Sequence, residues 1–553
     1  MIFPLASPAE RLKRHYDVVV VGSGYGGGVA ASRLARCGRK VCVLERGREV
    51  PTGSFPSRFP ELRRELRITG KRVRSGDPAA LFDLRVGEHI DIILGCGLGG
   101  TSLVNAGVAM RPDARVFAHE TWPQAFCEDP LLEEAFQRAG RMLRPDSYPE
   151  AEHLTKYKAL ANAGTGIGHA PRAAPVTVNF ADGINPAGVE QPACNGCGDC
   201  CTGCNLGAKN TVAMTYLPDA KQHGAEIYAG LTVSHLSHGP GGRWQVWFTE
   251  TGAADEDGTR RCVEADIVVL GAGTLGSTGI LLRSREAGLA LPERLGHGFS
   301  ANGDIIAFGY GARMQVNAIG VGHPAKADVG PVGTCVAGQI GIPDPAVLDN
   351  ELYLQEGVMP SALAPLLPVA FIPGGRLLGA AQSLIKGVYH GPFARLHTFF
   401  AVSHDTAEGE IRLEDDRVTV HWPDVAKQEV YRRLDTFLER AVQTNGAKYI
   451  KNPLAGSLMG NKPATAHPLG GCGMGETRDS GVVNHKCQVF TGNGSGSREA
   501  VHEGLYVCDG ASIPRSLGVN PLFTITGIAE RAMMHLAADR QWRFDDAPVK
   551  TVS

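Results

Sequence analysis

The run Val18–Gly28, VVVVGSGYGGG, constrains this chain more than any other stretch. Four consecutive β-branched residues predict a buried strand, and the glycines after it, Gly22, Gly24 and Gly27, fall in the pattern Gly-x-Gly-x-x-Gly. Gly22 permits a tight turn, Gly24 lets backbone amides approach a pyrophosphate, and Gly27 lets the next helix pack on the strand. An amphipathic helix is expected over Val29–Cys37. Glu45, closing the strand VCVLE, has the spacing that accepts hydrogen bonds from a ribose. Near the other end of the chain, GLYVCDGASIPRSLGVNPLFTIT reads as the far half of the same nucleotide site. A site drawn from both ends implies a discontinuous cofactor domain.

At 553 residues the chain is too long for one ordinary core, so two lobes are expected. Basic and acidic residues nearly balance, 55 against 57, which gives no reason to expect a nucleic-acid partner. The opening MIFPLASPAERLKRHYD has a short apolar stretch broken by proline, with no basic segment before it and no twin arginine, so export is not expected. No membrane-spanning apolar run is present. The nearest approach, Ala362–Ala381, is interrupted by prolines, paired glycines and Arg376. It reads equally as a buried entrance loop or as an interfacial patch. The expectation is a cytoplasmic protein that touches membranes at most peripherally.

Strand, helix and strand over Asp17–Glu45 make one nucleotide-binding unit, and ADIVVLGAGTLGSTGILLRS, from Ala265, returns to the same sheet. Between them WQVWFTE and RRCVE, separated by polar residues, read as a hairpin or meander. LYVCDG supplies a last strand, followed by a helix from Asn520 to about Arg540. Ser300–Gly460 differs in texture, with alternating strands such as HTFFAVSH and one strong helix over Val425–Asn445 that Asp424 is placed to cap. That region reads as a sheet-based substrate domain.

Five ordered motifs resemble those of the glucose-methanol-choline (GMC) oxidoreductases, in their bacterial cholesterol oxidase-like branch. They are the Gly22–Gly27 fingerprint, GCGLGGTSLVNAG from Gly95, GAGTLGSTGIL from Gly271, HPLGGCGMG from His467, and LYVCDGASIPRSLGVNPLFTITGIAER from Leu505. The resemblance implies an α/β fold: a Rossmann-like FAD-binding domain (residues 15–120, 205–300 and 465–545) plus a mixed α+β substrate-binding domain with a large antiparallel sheet (121–204 and 301–464). Gly97, Gly99 and Gly100 would let backbone lie against the isoalloxazine ring, with Asn105 near its reactive edge. Relatives that tether the flavin covalently often use a histidine near here. This segment has none, so noncovalent FAD is expected. Asp509 resembles the acid near the ribityl-phosphate region, and the amides around Asn520, Pro521 and Leu522 open a helix toward the flavin.

Hydride transfer from an alcohol needs a partner for the hydroxyl proton. His467 matches the family histidine and Asn520, in GVNPL, its asparagine partner. His467 is expected to accept or relay the proton while Asn520 orients the substrate oxygen. A bulky apolar alcohol, a 3β-hydroxysteroid first, is the expected substrate, with oxygen or an electron carrier as acceptor. Oxidation of long-chain aliphatic alcohols and a noncatalytic flavin and iron–sulfur relay are the alternatives, and the His467–Asn520 pair argues against the relay. Cholesterol oxidases that also shift the sterol double bond use a substrate-domain glutamate. Alignment puts Ala364 there, with Glu356 as a nearby substitute, which leaves isomerase activity, and cholesterol itself as substrate, open.

Five of the fourteen cysteines crowd into residues 194–204. Cys194, Cys197, Cys200 and Cys204 have the Cys-x2-Cys-x2-Cys-x3-Cys spacing by which ferredoxins hold iron and sulfide. Cys194, Cys200 and Cys204 also resemble the arrangement in flavin subunits of bacterial sugar dehydrogenases of this superfamily. A [4Fe-4S] or [3Fe-4S] cluster, zinc, and reduced thiols are the three readings, with Cys201 spare in each. The other nine cysteines read as core thiols.

Overall fold

The computed structural model describes residues 4–239, 241–253, 260–326, 329–370, 387–451, 462–492 and 496–547. Strand β1 (His15–Val21), helix α1 (Tyr25–Arg36) and strand β2 (Val41–Glu45) form the expected unit at the middle of an eight-stranded sheet. β1 runs parallel to β2 on one side and to β3 (Arg261–Leu270) on the other. β3 changes partners along its length. Arg261–Ala265 pairs antiparallel with the strand Trp244–Glu250, whereas Val268–Leu270 runs parallel to Leu505–Val507. The segments RCVE, from Arg261, and ADIVVL are therefore one strand, half in a meander and half in the nucleotide sheet. Helix α2 (Gly273–Glu286) leaves its end as α1 leaves β1. Both turns open at the carboxyl edge of parallel strands, where α/β sheets leave a ligand crevice.

Helix α1 differs from the amphipathic helix expected over Val29–Cys37. It starts at Tyr25, and every residue in it is buried. The last helix, Leu522–Asp539, and the helix Tyr216–Gln222 cover the face that would otherwise meet water. Its two arginines are buried as ion pairs: Arg33 grips Glu530 through two bonds of 2.7 and 2.8 Å, and Arg36 reaches Asp219 at 2.6 Å. Unpaired, either charge would be strongly destabilising there.

The second large sheet has six strands, all antiparallel, in the order Lys448–Lys451, Ile305–Tyr310, His397–Ser403, β4 (Leu352–Gly357), Gly338–Ile342 and Arg172–Ala173. Helix Glu429–Thr444 packs on it. Asp424 does not cap this helix. It sits in a left-handed conformation (φ 60°) before a 3₁₀ turn, Val425–Lys427, and pairs with Lys427 at 2.7 Å. A third, five-stranded sheet sets Ala464–Thr465 parallel to Asp91–Ile92, so the segments leading to His467 and to Gly95 run side by side. One hydrophobic core runs through both large sheets.

Ser361–Leu366 and Leu367–Ala370 form short helical turns, and the rest of the expected apolar segment, 371–381, lies outside the described residues. Among the described residues no helix is long and apolar enough to cross a membrane.

Candidate active site

The glycine turn is clamped between two strand ends. Gly22 has φ +89°, and a Cβ on it would lie 2.5 Å from the Gly271 carbonyl oxygen. The tightest position is one the sequence pattern did not single out: a Cβ on Gly26 would lie 1.7 Å from the Cys508 carbonyl oxygen. On Gly27 it would meet the Gly22 carbonyl oxygen at 2.0 Å, the close helix–strand packing expected of it. Gly24 is different. Only Gly100 Cα comes near its Cβ position, at 3.9 Å, so its backbone faces open cleft, as approach to a pyrophosphate requires.

Glu45 is buried at the end of β2. Its Oε2 accepts the Ser23 amide (3.0 Å) and hydroxyl (2.7 Å), and its Oε1 the Gly47 amide (2.7 Å). Asp509 ties the strand Val501–Val507 to α2. It accepts from Gly273 N (2.8 Å), Ser277 Oγ (2.5 Å) and Ala511 N (2.9 Å), while burial pushes its carboxyl above the usual range. Gly97 and Gly100 shape the turn toward Asn105 with φ of +154° and +58°. Asn105 Nδ2 donates to the Tyr25 hydroxyl at 2.9 Å, and its side-chain oxygen Oδ1 is buried without a partner among the described residues. That orphaned acceptor, in the wall of the cleft, suits an N–H-bearing ring edge.

Gly22, Gly24, Gly26, Glu45, Gly100, Asn105 and Asp509 line one cleft of about 1470 Å³, larger than the few hundred Å³ typical of one small ligand, with room for a dinucleotide and a second molecule, while Gly27 and Gly97 lie behind its wall. Leu522 opens the last helix beside it, after Pro521. His467 and Asn520 line the same cleft. Each is held by a side chain that the sequence reading missed. The ring Nδ1 of His467 bonds Asp304 Oδ1 at 2.8 Å. Asp304 Oδ2 accepts from Thr465 Oγ1 (2.7 Å), Ala466 N (3.0 Å) and His467 N (3.2 Å), which fixes the carboxylate and through it the ring. In the neutral ring, Nδ1 donating to Asp304 leaves the lone pair on Nε2. Asn520 Oδ1 accepts from Gln355 Nε2 at 2.6 Å, leaving its NH₂ as the group it offers a substrate oxygen.

Glu356 is not available to the cleft. Strand alternation in β4 turns Gln355 to one face and Glu356 to the other. There Glu356 is buried against Lys156 Nζ (2.8 and 2.9 Å) and the amides of Ala337 (2.8 Å) and Gly338 (2.9 Å). Ala364 is buried in a small apolar cluster with Phe308, Leu367 and Leu396. That β4 alternates was readable from the sequence; which residue faces the cleft was not.

Among the described residues, the sulfurs of Cys194, Cys197, Cys200 and Cys204 do not form a group of three ligand atoms within 4.8 Å of one another, as one metal ion would need. Burial pushes the thiol of Cys194 up to about 11 and that of Cys197 to about 12. Cys201, spare as a ligand in each reading, has a partner of its own: its sulfur meets that of Cys335 at 3.3 Å. The buried ammonium of Lys209 bonds the carbonyls of Asn105 (2.5 Å), Leu103 and Cys200 (both 3.3 Å), joining the cysteine loop to the glycine segment. Asp129, His485 and His535 do converge, but Arg531 already bonds Asp129 (2.6 Å) and His485 (3.1 Å), so a cation fills that place.

A parallel nucleotide sheet joined to an antiparallel sheet, with one cleft spanning both and a carboxylate-held histidine in it, defines a dinucleotide-dependent oxidoreductase. Profiles described as GMC oxidoreductase match residues 17–300 and 405–529, and the chain belongs to the GMC oxidoreductase family. It is an FAD-dependent alcohol oxidoreductase. It is 28% identical to a cholesterol oxidase of Acinetobacter baumannii, over 95% of this chain and 94% of the relative. It is 25% identical to a long-chain-alcohol oxidase of Arabidopsis thaliana, over 93% of this chain and 66% of that protein. The crystal structure of pyridoxine 4-oxidase from Mesorbium loti superposes with a TM-score of 0.59 at 17% identity, covering 94% and 99% of the two chains, which shows the shared fold.

Proposed function

We propose that this protein oxidises the hydroxyl of a bulky apolar alcohol, a 3β-hydroxysteroid first, and that oxygen takes up the electrons. FAD, held noncovalently by the Gly22–Gly27 turn, Glu45, the Gly97–Asn105 segment and Asp509, supplies the hydride acceptor when bound. His467 takes the hydroxyl proton at Nε2, and Asp304 holds the ring in the tautomer that allows it. Asn520 donates to the substrate oxygen in an orientation set by Gln355.

The observation that carries this reading is that the two held side chains share a cleft whose substrate-side wall is apolar: Val358, Met359, Leu363, Leu367 and Phe400. Such a wall excludes water and accepts a hydrocarbon skeleton. The likeness to cholesterol oxidases supports a sterol. The likeness to long-chain-alcohol oxidases supports an aliphatic alcohol as the second reading. Because β4 offers the cleft an amide at Gln355 rather than a carboxylate, the ketone leaves with its double bond unmoved. An iron–sulfur centre at Cys194, Cys197, Cys200 and Cys204 would instead send electrons to a carrier.

Mixing anaerobic holoprotein with a 3β-hydroxysterol and, separately, with dodecanol tests the substrate. The flavin should bleach faster with the sterol, and admitting air should yield one peroxide per alcohol. Faster bleaching with dodecanol makes the second reading correct; bleaching with neither overturns both. Iron at about three to four atoms per flavin would replace oxygen by a carrier.

A further inference from the structure

Cys201 and Cys335 stand in a relation that hydride transfer does not use. Cys201 lines the active cleft, and its Sγ lies 3.3 Å from that of the fully buried Cys335. The two loops that carry them are already bound together by backbone. Val332 N and Gly333 N donate to the Gly196 carbonyl at 2.9 and 3.0 Å, and Val321 N donates to the Cys197 carbonyl at 2.9 Å. The Cys335 amide also points at Cys200 Sγ, 3.4 Å away. Val321, Val332 and Val358 pack around the buried sulfur and keep it from bulk solvent. One partly buried thiol thus lines the cleft, and a second waits in contact behind it. Lys209, bonded to both Asn105 and Cys200 carbonyls, keeps this pair beside the segment expected to lie against the flavin.

We propose that Cys201 and Cys335 are a peroxide-reactive dithiol in the wall of the active cleft. The proposal rests on oxygen being the electron acceptor, since hydrogen peroxide is then released within reach of Cys201. The Cys201 sulfur attacks one peroxide oxygen: an S–O bond forms, the O–O bond breaks, and water leaves from a sulfenic acid. The Cys335 sulfur then attacks the Cys201 sulfur: the S–S bond forms, the S–O bond breaks, and a second water leaves. Two thiols are oxidised to one disulfide while one peroxide is reduced to two waters. The sulfurs are in contact at 3.3 Å, and closing the bond brings them to about 2.05 Å. Closure fixes the cysteine loop covalently to the segment that enters the antiparallel sheet at Gly338–Ile342.

The test uses full-length holoprotein, reduced and freed of reductant without air, then given one equivalent of hydrogen peroxide. The intact mass should fall by about 2 Da, the thiol count of the unfolded protein should drop from fourteen to twelve, and a digest should contain one Cys201–Cys335 peptide pair. Cys335→Ser should stop the cross-link and leave Cys201 as a sulfenic acid trapped by dimedone. A wild-type digest that links other cysteines instead overturns the proposal, as does iron bound by these thiols. A second arm omits added peroxide and supplies alcohol and air, with and without catalase. If added peroxide closes the pair but turnover does not, the dithiol stands and the proposed acceptor fails. If neither closes it, the dithiol fails, while a separate peroxide assay still reports on the oxidase reading.

Discussion

The two ends of the cleft solve recognition with different parts of the chain. At the nucleotide end, backbone does the work: Gly24 leaves an opening, Gly22 and Gly26 let strands meet, and the side chains present, Glu45 and Asp509, chiefly hold amides in place. At the proposed alcohol end, the two side chains proposed to act are each fixed by another, His467 by Asp304 and Asn520 by Gln355. A backbone site tolerates no added atoms. A side-chain site tolerates substitution and loses alignment in steps.

The largest effect should fall at Gly26. Gly26→Ala places a methyl inside the Cys508 carbonyl and should destabilise the protein by about 4 kcal/mol or more, with flavin lost on purification. Gly24→Ala should keep the thermal midpoint near wild type while weakening flavin binding about tenfold or more, read by titration of the apoprotein. Equal unfolding of both variants would break the contrast between a packing glycine and an approach glycine.

At the other end, His467→Ala should slow flavin reduction by about two to four decades in stopped-flow while flavin content stays unchanged. Asp304→Asn should cost about tenfold to a hundredfold, because the ring remains but its tautomer and direction are no longer fixed. Gln355→Leu should cost about threefold to tenfold, seen more in kcat than in flavin content. A Gln355→Leu loss as large as that of His467→Ala would mean that Gln355 contacts the substrate directly.

A last effect separates neither end and reports on the antiparallel sheet. Burial lowers His397 to about 3 and His404 to about 4, from an ordinary value near 6.5. Both bind protons less readily when folded than when unfolded, so their contribution to stability is full above about pH 6.5. It is lost as pH falls toward 4 and then 3. The thermal midpoint should therefore drop from pH 7 to pH 4.5, and His397→Gln should flatten that slope.

Sequence alone determined the strand–glycine turn–helix at Val18–Gly28, Glu45 at the end of its strand, and the return of the last segment to the same sheet. Each rests on local periodicity or on backbone freedom, which neighbouring residues dictate. It also named His467 and Asn520 by their motifs. It did not name Asp304 or Gln355, which lie 163 and 165 residues from the partners they hold, nor Gly26, whose constraint comes from Cys508. Asp424 looked like a cap by spacing, and the 3₁₀ turn after it moved the helix start. The contact of Cys201 with Cys335, which comes from another loop, was not visible in the cysteine spacing. Tertiary structure decided these because partners distant in sequence meet only through sheet order and register, and neither is written in the pattern of any one segment.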